Sequence, residues 1–410
     1  MRYAVIDADY SDTRYIGLGA SWLRWYLRRL GAEIVEPDAA EVLLVSTTSQ
    51  QRAGSVRHRI RRYPGRPVVV GGMGSYGAAA FDGIASVVCV GEGARFVRTM
   101  VREGLDAAAR LPEAWVPGET REVVPSADFP WDVPPILHPD GKYRVFESRG
   151  CKHRCLFCQT GWERRHIVNQ DLGRLVATCR ELYRRGLPYD LVTNDAGVTG
   201  VIQQVPGGTM ASYGYRHLTE MSLAWLPRTV RIGVEGVSER LRRAAGKPIP
   251  TSGLVDLVRR LLAAHHLVRL FFVAGLPLEA GDDWVELLDL VRGIGCADRG
   301  LVHLGFHAFI PQPAAPLAVL PLADEYFERE EEACGRFFDR DSYSRRIHWG
   351  KPAGYRTRLK LARLSMAATE DELRRGWQDA DPPNWRIRSV GSPGRLRRLA
   401  AGYVRRLGGA

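Results

Sequence analysis

Three cysteines crowd into eight residues, Cys151, Cys155 and Cys158, in the run ESRGCKHRCLFCQTGW. The other four of the seven, Cys89, Cys179, Cys296 and Cys334, are scattered and read as small buried hydrophobes. The N-terminal MRYAVIDADYSD runs straight into an apolar strand and then acidic residues, unlike a signal peptide, so a cytoplasmic chain is expected. An odd cysteine total with one tight cluster then argues against a disulfide framework and for a metal site. Three thiolates on one loop hold three irons of a cubane and leave the fourth iron without a protein ligand. The competing reading is a zinc site closed by His153 or His166, for which adjacent spacings of three and two place the sulfurs poorly.

The pattern around that loop sets the fold. With 410 residues and 45% hydrophobic composition the chain is long enough for two or three domains, and no apolar run reaches bilayer length. Residues 1–110 alternate strands (Tyr3 to Asp7, Glu33 to Glu36, Val42 to Ser46, Pro67 to Val70, Ser86 to Val90) with helices (Ile16 to Leu30, Val56 to Tyr63, Ala94 to Arg102). This predicts an α/β unit with a doubly wound, Rossmann-like parallel sheet, whose crevice lies at the carboxyl ends of its strands. Residues 111–143 lose periodicity and are proline-dense, as an ordered linker would be. Residues 144–321 alternate again. Strands at Arg144 to Ser148, Tyr189 to Thr193, Thr229 to Val234, Leu267 to Ala274 and Leu301 to Phe309 interleave with helices at Asp171 to Arg185, His217 to Leu226, Gly253 to His265 and Asp282 to Ile294. Such repetition predicts a partial or full β/α barrel. Residues 322–410 read as helical and basic.

The CxxxCxxC loop after the first strand of a β/α unit, with Phe157 before the third cysteine, resembles the radical S-adenosylmethionine superfamily. The resemblance covers Arg144 to Pro321. It implies a 4Fe-4S cluster on Cys151, Cys155 and Cys158, whose open iron chelates the amino and carboxyl groups of S-adenosylmethionine and whose reduction yields a 5′-deoxyadenosyl radical. It also implies an external electron donor of flavodoxin or ferredoxin type. Phe157 would lie against the adenine. Asn194 and Asp195, in TNDAG, stand where the family often has Gly-Gly-Glu for the methionine amine; an Asx-type turn is the other reading. Glu235 and Ser238, in GVEGVSERL, match the segment that meets ribose or carboxylate; Gly275, in FFVAGLPLE, would let backbone approach the adenine, with Phe309 near the chamber mouth.

Ahead of the barrel, PVVVGGMGSYG and SVVCVGEGARF resemble the cobalamin-binding subfamily, in which the corrin lies on the sheet's carboxyl edge. Gly17, Ser46, Gly71, Gly72, Gly91 and Glu92 are the residues this assigns to cobalamin. The run that could offer cobalt a histidine is Asp12-Thr13-Arg14-Tyr15-Ile16-Gly17, and arginine cannot donate to a metal. The resemblance thus points to cobalamin-dependent methylation of an unactivated carbon. Alternatives are a radical enzyme without cobalamin, whose first unit packs or binds substrate, and a nucleic-acid-binding protein with a structural or redox-sensing cluster. Methylthiolating enzymes resemble the barrel but carry three more clustered cysteines in their first domain; here that stretch holds Cys89 alone.

Lysine plus arginine is 58 against 46 acids, a net charge of +12, which favours an anionic substrate such as a nucleic acid, a phosphorylated metabolite or an acidic peptide, or else only a solvated arginine-rich surface. The arginine-rich tail from Arg386 reads either as a polyanion grip or as a solvated closing helix. His303 and His307 share a strand face, toward the chamber or the interior; Tyr213, Tyr215 and Tyr355 are candidate channel residues, and Gln203 to His217 a candidate lid.

Overall fold

The computed structural model describes residues 1–9, 17–163, 166–195, 197–206, 208–209, 212–295, 301–312, 314–320, 347–350 and 393–408. The Asp12–Ile16 run with Arg14, together with Cys296, Pro313, Cys334 and Tyr355, lies outside them, as does most of the region after Pro321.

The first sheet has six strands: β1 (Arg2–Asp7), β2 (Glu33–Ile34), β3 (Val42–Ser46), β4 (Val68–Gly71), β5 (Val87–Cys89) and β6 (Ala114–Trp115), in the order β2-β1-β3-β4-β5-β6. All pairs are parallel except β5 with β6. Alternate residues feed two separate cores: Ile6, Leu43, Val45, Val70 and Val88 pack with Tyr76 and Phe81 on one face, and Tyr3, Val5, Leu44, Val69 and Val87 with Leu27, Phe96 and Met100 on the other. Helices α1 (Leu18–Arg29), α2 (Ala53–Ile60), α3 (Ala94–Glu103) and α4 (Leu105–Ala109) supply that cover. The order reverses between β1 and β3, where open α/β sheets place their ligands.

The expected linker is partly built into both sheets. β6 extends the first, and β7 (Ile136–Leu137) runs antiparallel to β8 (Tyr143–Phe146) in the second half. There β11 (Tyr189–Val192) and β12 (Gly208–Thr209) complete the order β12-β11-β8-β7, while β9 (Ser148–Arg149) and β10 (Ile167–Val168) form a short ribbon beside the cysteine loop. A second sheet runs β13 (Thr229–Glu235), β14 (Leu267–Ala274), β15 (Val302–Ala308) and β16 (Ile347–Gly350), all parallel. An isolated parallel bridge, Tyr213 to Ile232, ties the segment after β12 to β13. Among the described residues the two sheets form no closed barrel. Helices α5 (Thr160–Glu163), α6 (Leu172–Arg184), α7 (Tyr215–Glu220), α8 (Glu239–Ala244), α9 (Thr251–Ala263), α10 (Gly281–Ile294) and α11 (Pro393–Arg406) complete the half.

Two expectations change here. β16 is a strand within a region read as helical, because four residues flanked by charge carry too little periodicity to register. His303 and His307 are exposed, while their neighbours Val302, Leu304 and Phe306 point into the core packed by α9 and α10.

Candidate functional site

The cysteine loop leaves β9 at Gly150 and is held from four directions. Asn194 Nδ2 donates to Gly150 O (3.1 Å), Leu156 N to Ala245 O (2.8 Å), Trp162 Nε1 to Cys155 O (2.9 Å), and Leu317 N to Leu156 O (3.0 Å). The three cysteines form no disulfide and are half-buried. Burial pushes Cys151 above the usual thiol range and Cys155 up to about 12, so binding a metal would displace protons. Two sulfurs on one tetrahedral zinc sit about 3.8 Å apart, given Zn–S near 2.3 Å. Yet among the described residues only His153, Asp195 and His217 bring three ligand atoms within 4.8 Å of one another. The three sulfurs thus do not all lie within 4.8 Å of one another, a looser arrangement than one zinc ion needs. His153, one of the two histidines of the zinc reading, is turned to Asp195 (Nε2 to Oδ2, 3.0 Å).

Charged groups ring the loop. Glu235 ends β13 at φ 75°, past a register shift from Gly233, and its Oε1 accepts from Lys247 Nζ at 2.8 Å. Burial alone would lower Lys247, but Glu235 and Cys155 outweigh it and the ammonium is held above its ordinary range. Asp195 is buried. Burial alone would raise its carboxyl, but the His153 hydrogen bond and the charges of His153, His217 and Lys152 hold it low. The His217 ring lies where β-carbons on Gly197 and Gly214 would each come to 3.2 Å, so two glycines make room for it beside Asp195 (Nε2 to Oδ1, 3.3 Å). Behind them burial pushes Glu147 up to about 7, with the Asp195 charge adding to it; Thr199 Oγ1 donates to its Oε1, and Oε2 has no hydrogen-bond partner.

One cavity of about 1190 Å³ has the cysteine loop on one wall and the carboxyl edge of the first sheet on the other. Cys151, Cys155, Cys158, Phe157, Asn194, Asp195 and Glu235 line it from the second half, and Gly17, Ser46, Gly71, Gly72, Gly91 and Glu92 from the first. Trp22, Phe96, Phe129 and Phe146 give it apolar walls. Glu92 bridges the halves through Arg149 (3.2 Å), whose guanidinium stacks over Phe129 and Phe146. Asp7 accepts from Gly17 N, and half-buried Asp9, its Oδ1 3.7 Å from Arg52 Nε, accepts from Thr48 N (2.8 Å) at the β1/β3 reversal.

Three candidates lie elsewhere. Ser238 is the N-cap of α8, its hydroxyl accepting from Leu241 N and donating to Asp283. Gly275 spends its N–H on Glu279, and Phe309 is buried in the core with its N–H on Ala274 O. Gly72 and Gly91 border the cavity, but their missing β-carbons would strike Thr47 O at 2.4 Å and Ser126 O at 2.5 Å, and both have φ near +95°; their glycine requirement is internal packing rather than approach of a ligand. His217, Lys247, Lys152 and Arg149 also line the cavity and were not singled out from the sequence.

No protein-family model matches the chain. A tRNA-2-methylthio-N(6)-dimethylallyladenosine synthase from Cereibacter sphaeroides is 24% identical over 246 residues, 52% of this chain and 56% of that protein. The ribosomal protein uS12 methylthiotransferase RimO from Methylococcus capsulatus is 25% identical over 207 residues, 42% and 46% respectively. The chain therefore spans about half the length of the curated relatives it matches. Among solved structures, the radical S-adenosylmethionine methyltransferase TsrM from Kitasatospora setae, with cobalamin and a [4Fe-4S] cluster bound, superposes with a TM-score of 0.57 at 15% identity, covering 99% of this chain and 90% of that one. The cobalamin-dependent S-adenosylmethionine radical enzyme OxsB, with aqua-cobalamin and S-adenosylmethionine bound, gives 0.50 at 13% identity, over 84% and 56%. The α/β fold is that of the cobalamin-dependent radical S-adenosylmethionine enzymes.

Proposed function

We propose that this chain, a radical S-adenosylmethionine superfamily protein by its relatives and its fold, carries a [4Fe-4S] cluster on Cys151, Cys155 and Cys158, binds S-adenosylmethionine beside it and cobalamin against the first sheet, and methylates an unactivated carbon. The observation that carries this reading is the shared cavity: three thiols and the carboxyl edge of an α/β sheet face one space. Bound there, the cluster with S-adenosylmethionine would supply a 5′-deoxyadenosyl radical, and cobalamin a transferable methyl group. The chain's own part is placement. Asn194 fixes the loop through Gly150, Phe157 offers a ring and backbone to an adenine, and Glu235 and Asp195 present carboxylates to an ammonium or ribose. Apolar walls at Phe129, Phe146 and Trp22 exclude water from a reactive intermediate. Ser46, Gly71 and Glu92, which line the cavity on the first-sheet side, would hold the corrin.

The division of labour follows the chain: residues 1–110 for cobalamin, 111–143 as connection, 144–321 as the radical barrel and 322–410 as a basic closing region. Reduction would come from an external donor, and the net charge of +12 suits an anionic substrate. The methylthiolation of the sequence relatives is disfavoured because Cys89, the one cysteine in residues 1–110, is buried in the sheet with its thiol pushed up by burial.

The test is anaerobic purification from cells supplied with hydroxocobalamin, with iron, sulfide and cobalt quantified on one sample. About four irons and one cobalt per chain support the reading. About four irons without cobalt would leave a radical enzyme whose first unit serves substrate, and absence of iron would overturn the assignment altogether.

A further inference from the structure

Helix α11 lies across the outside of the cysteine loop, a position the proposed function does not use. At one end Arg395 stacks over Trp162, the buried indole whose N–H bonds Cys155 O; at the other Arg406 donates to Ala244 O, next to the Ala245 carbonyl that receives Leu156 N. Tyr403, in the last turn, pins the helix by donating to Pro277 O (2.6 Å). Arg154, from the loop itself, lies over Trp162 as well. Leu396, Ala400 and Tyr403 are buried, while Arg395, Arg398, Arg405 and Arg406 are exposed. At 100° per residue those four arginines fall within one arc of roughly 100°. The helix holds five arginines and no acid, so nothing within it neutralises the stripe.

We infer that this arginine stripe, with Arg154 beside it, docks an acidic low-potential electron-transfer protein over Trp162. The inference rests on the cluster assignment above and adds the entry side for its electron. One electron leaves the reduced centre of the partner and enters the cluster, with no bond made or broken. Two features favour this occupant over RNA, and a third speeds the encounter. The stripe is about 15–20 Å long, the footprint of a small, weak redox encounter rather than of a backbone-tracking groove. It stands over the indole that touches a cluster-bearing residue, on the loop's outer side. Its charge is of one sign, which speeds encounter with an oppositely charged partner.

The probe is a bacterial flavodoxin, titrated calorimetrically into the full-length protein and then, as its FMN hydroquinone, mixed with it by stopped flow. Arg398→Glu with Arg405→Glu should weaken flavodoxin affinity at least about tenfold and slow cluster reduction in proportion, while dithionite reduces the same cluster fully. Reversing Arg57, on α2, and Arg61, at its C-cap, both exposed in the first half, should change neither. Unchanged flavodoxin affinity in the Arg398/Arg405 variant would overturn the proposal. So would loss of tRNA binding with flavodoxin binding intact, which would mark a nucleic-acid face. An iron-free wild-type protein would defeat the cluster assignment instead, and calorimetry on that protein would still read the docking surface. Melting temperature guards against a folding defect in the variants.

Discussion

The two walls of the cavity are built by opposite means. On the cysteine-loop side, side chains do the shaping: thiols, the Glu235–Lys247 pair and Asp195 between His153 and His217 stand on strand ends, on the loop, on α7 and just past α8. On the first-sheet side, backbone does it. Two adjacent glycines stand at the end of β4, of which one closes against Thr47 and the other leaves room for a methyl group at ordinary van der Waals distance from Cys89 O. A wall of side chains fails by losing chemistry, whereas a wall of backbone fails by losing its shape, so substitutions on the two sides should read out in different measurements.

The largest expected effect is on the thiol wall. Cys155→Ala should abolish iron binding while hydroxocobalamin binding and thermal stability hold; loss of both cofactors together would break the independence of the walls. Gly72→Ala comes next. Its β-carbon would lie 2.4 Å from Thr47 O at φ 97°, so a stability loss of about 2–4 kcal/mol is expected in a denaturant titration. Third is Glu147, whose pKa is raised to about 7 by burial. A carboxyl raised in the folded state stabilises fully below its unfolded pKa, near 4.5, and loses that contribution as pH climbs through about 7. Unfolding free energy followed from pH 4.5 to 8 should fall by about 2–3 kcal/mol from this group, and Glu147→Gln should flatten that slope. Glu235→Gln, which leaves Lys247 partly buried without its carboxylate, should cost about 1 kcal/mol and weaken S-adenosylmethionine binding measured calorimetrically. The smallest stability change belongs to Gly71→Ala. Its β-carbon would meet only Cys89 O at 3.9 Å, so stability should stay within about 0.5 kcal/mol while hydroxocobalamin binding weakens. Unaltered cobalamin affinity there would remove the backbone wall from cofactor binding.

What could be read from the sequence follows the same contrast. The cysteine loop is local, so its spacing and its place after a strand were visible, as was the alternation that builds the first sheet and β13 to β15. Ser238 misled because a serine opening a short helix reads equally as a ligand contact and as an N-cap, and only the Asp283 carboxylate, 45 residues on, separates the two. Gly275 misled in the same way, its N–H already taken by Glu279. His217 was invisible as a site residue because its position depends on Gly197 and Gly214 meeting one ring, and no local pattern records that. Lys247 sits just past α8, where a basic residue is ordinary, and its meaning comes from a carboxylate on β13.

The parallel pairing of β16 with β15 has a consequence for synthesis. β15 ends at Ala308 and its partner begins at Ile347, so on the ribosome the strand's free edge is complete before the segment that covers it has been translated. Through that interval an apolar strand presents open hydrogen-bonding groups to any neighbouring nascent chain. Slow elongation or crowded expression should therefore favour aggregates that begin at β15, and yield should respond more to translation rate and chaperone supply than to cofactor supply.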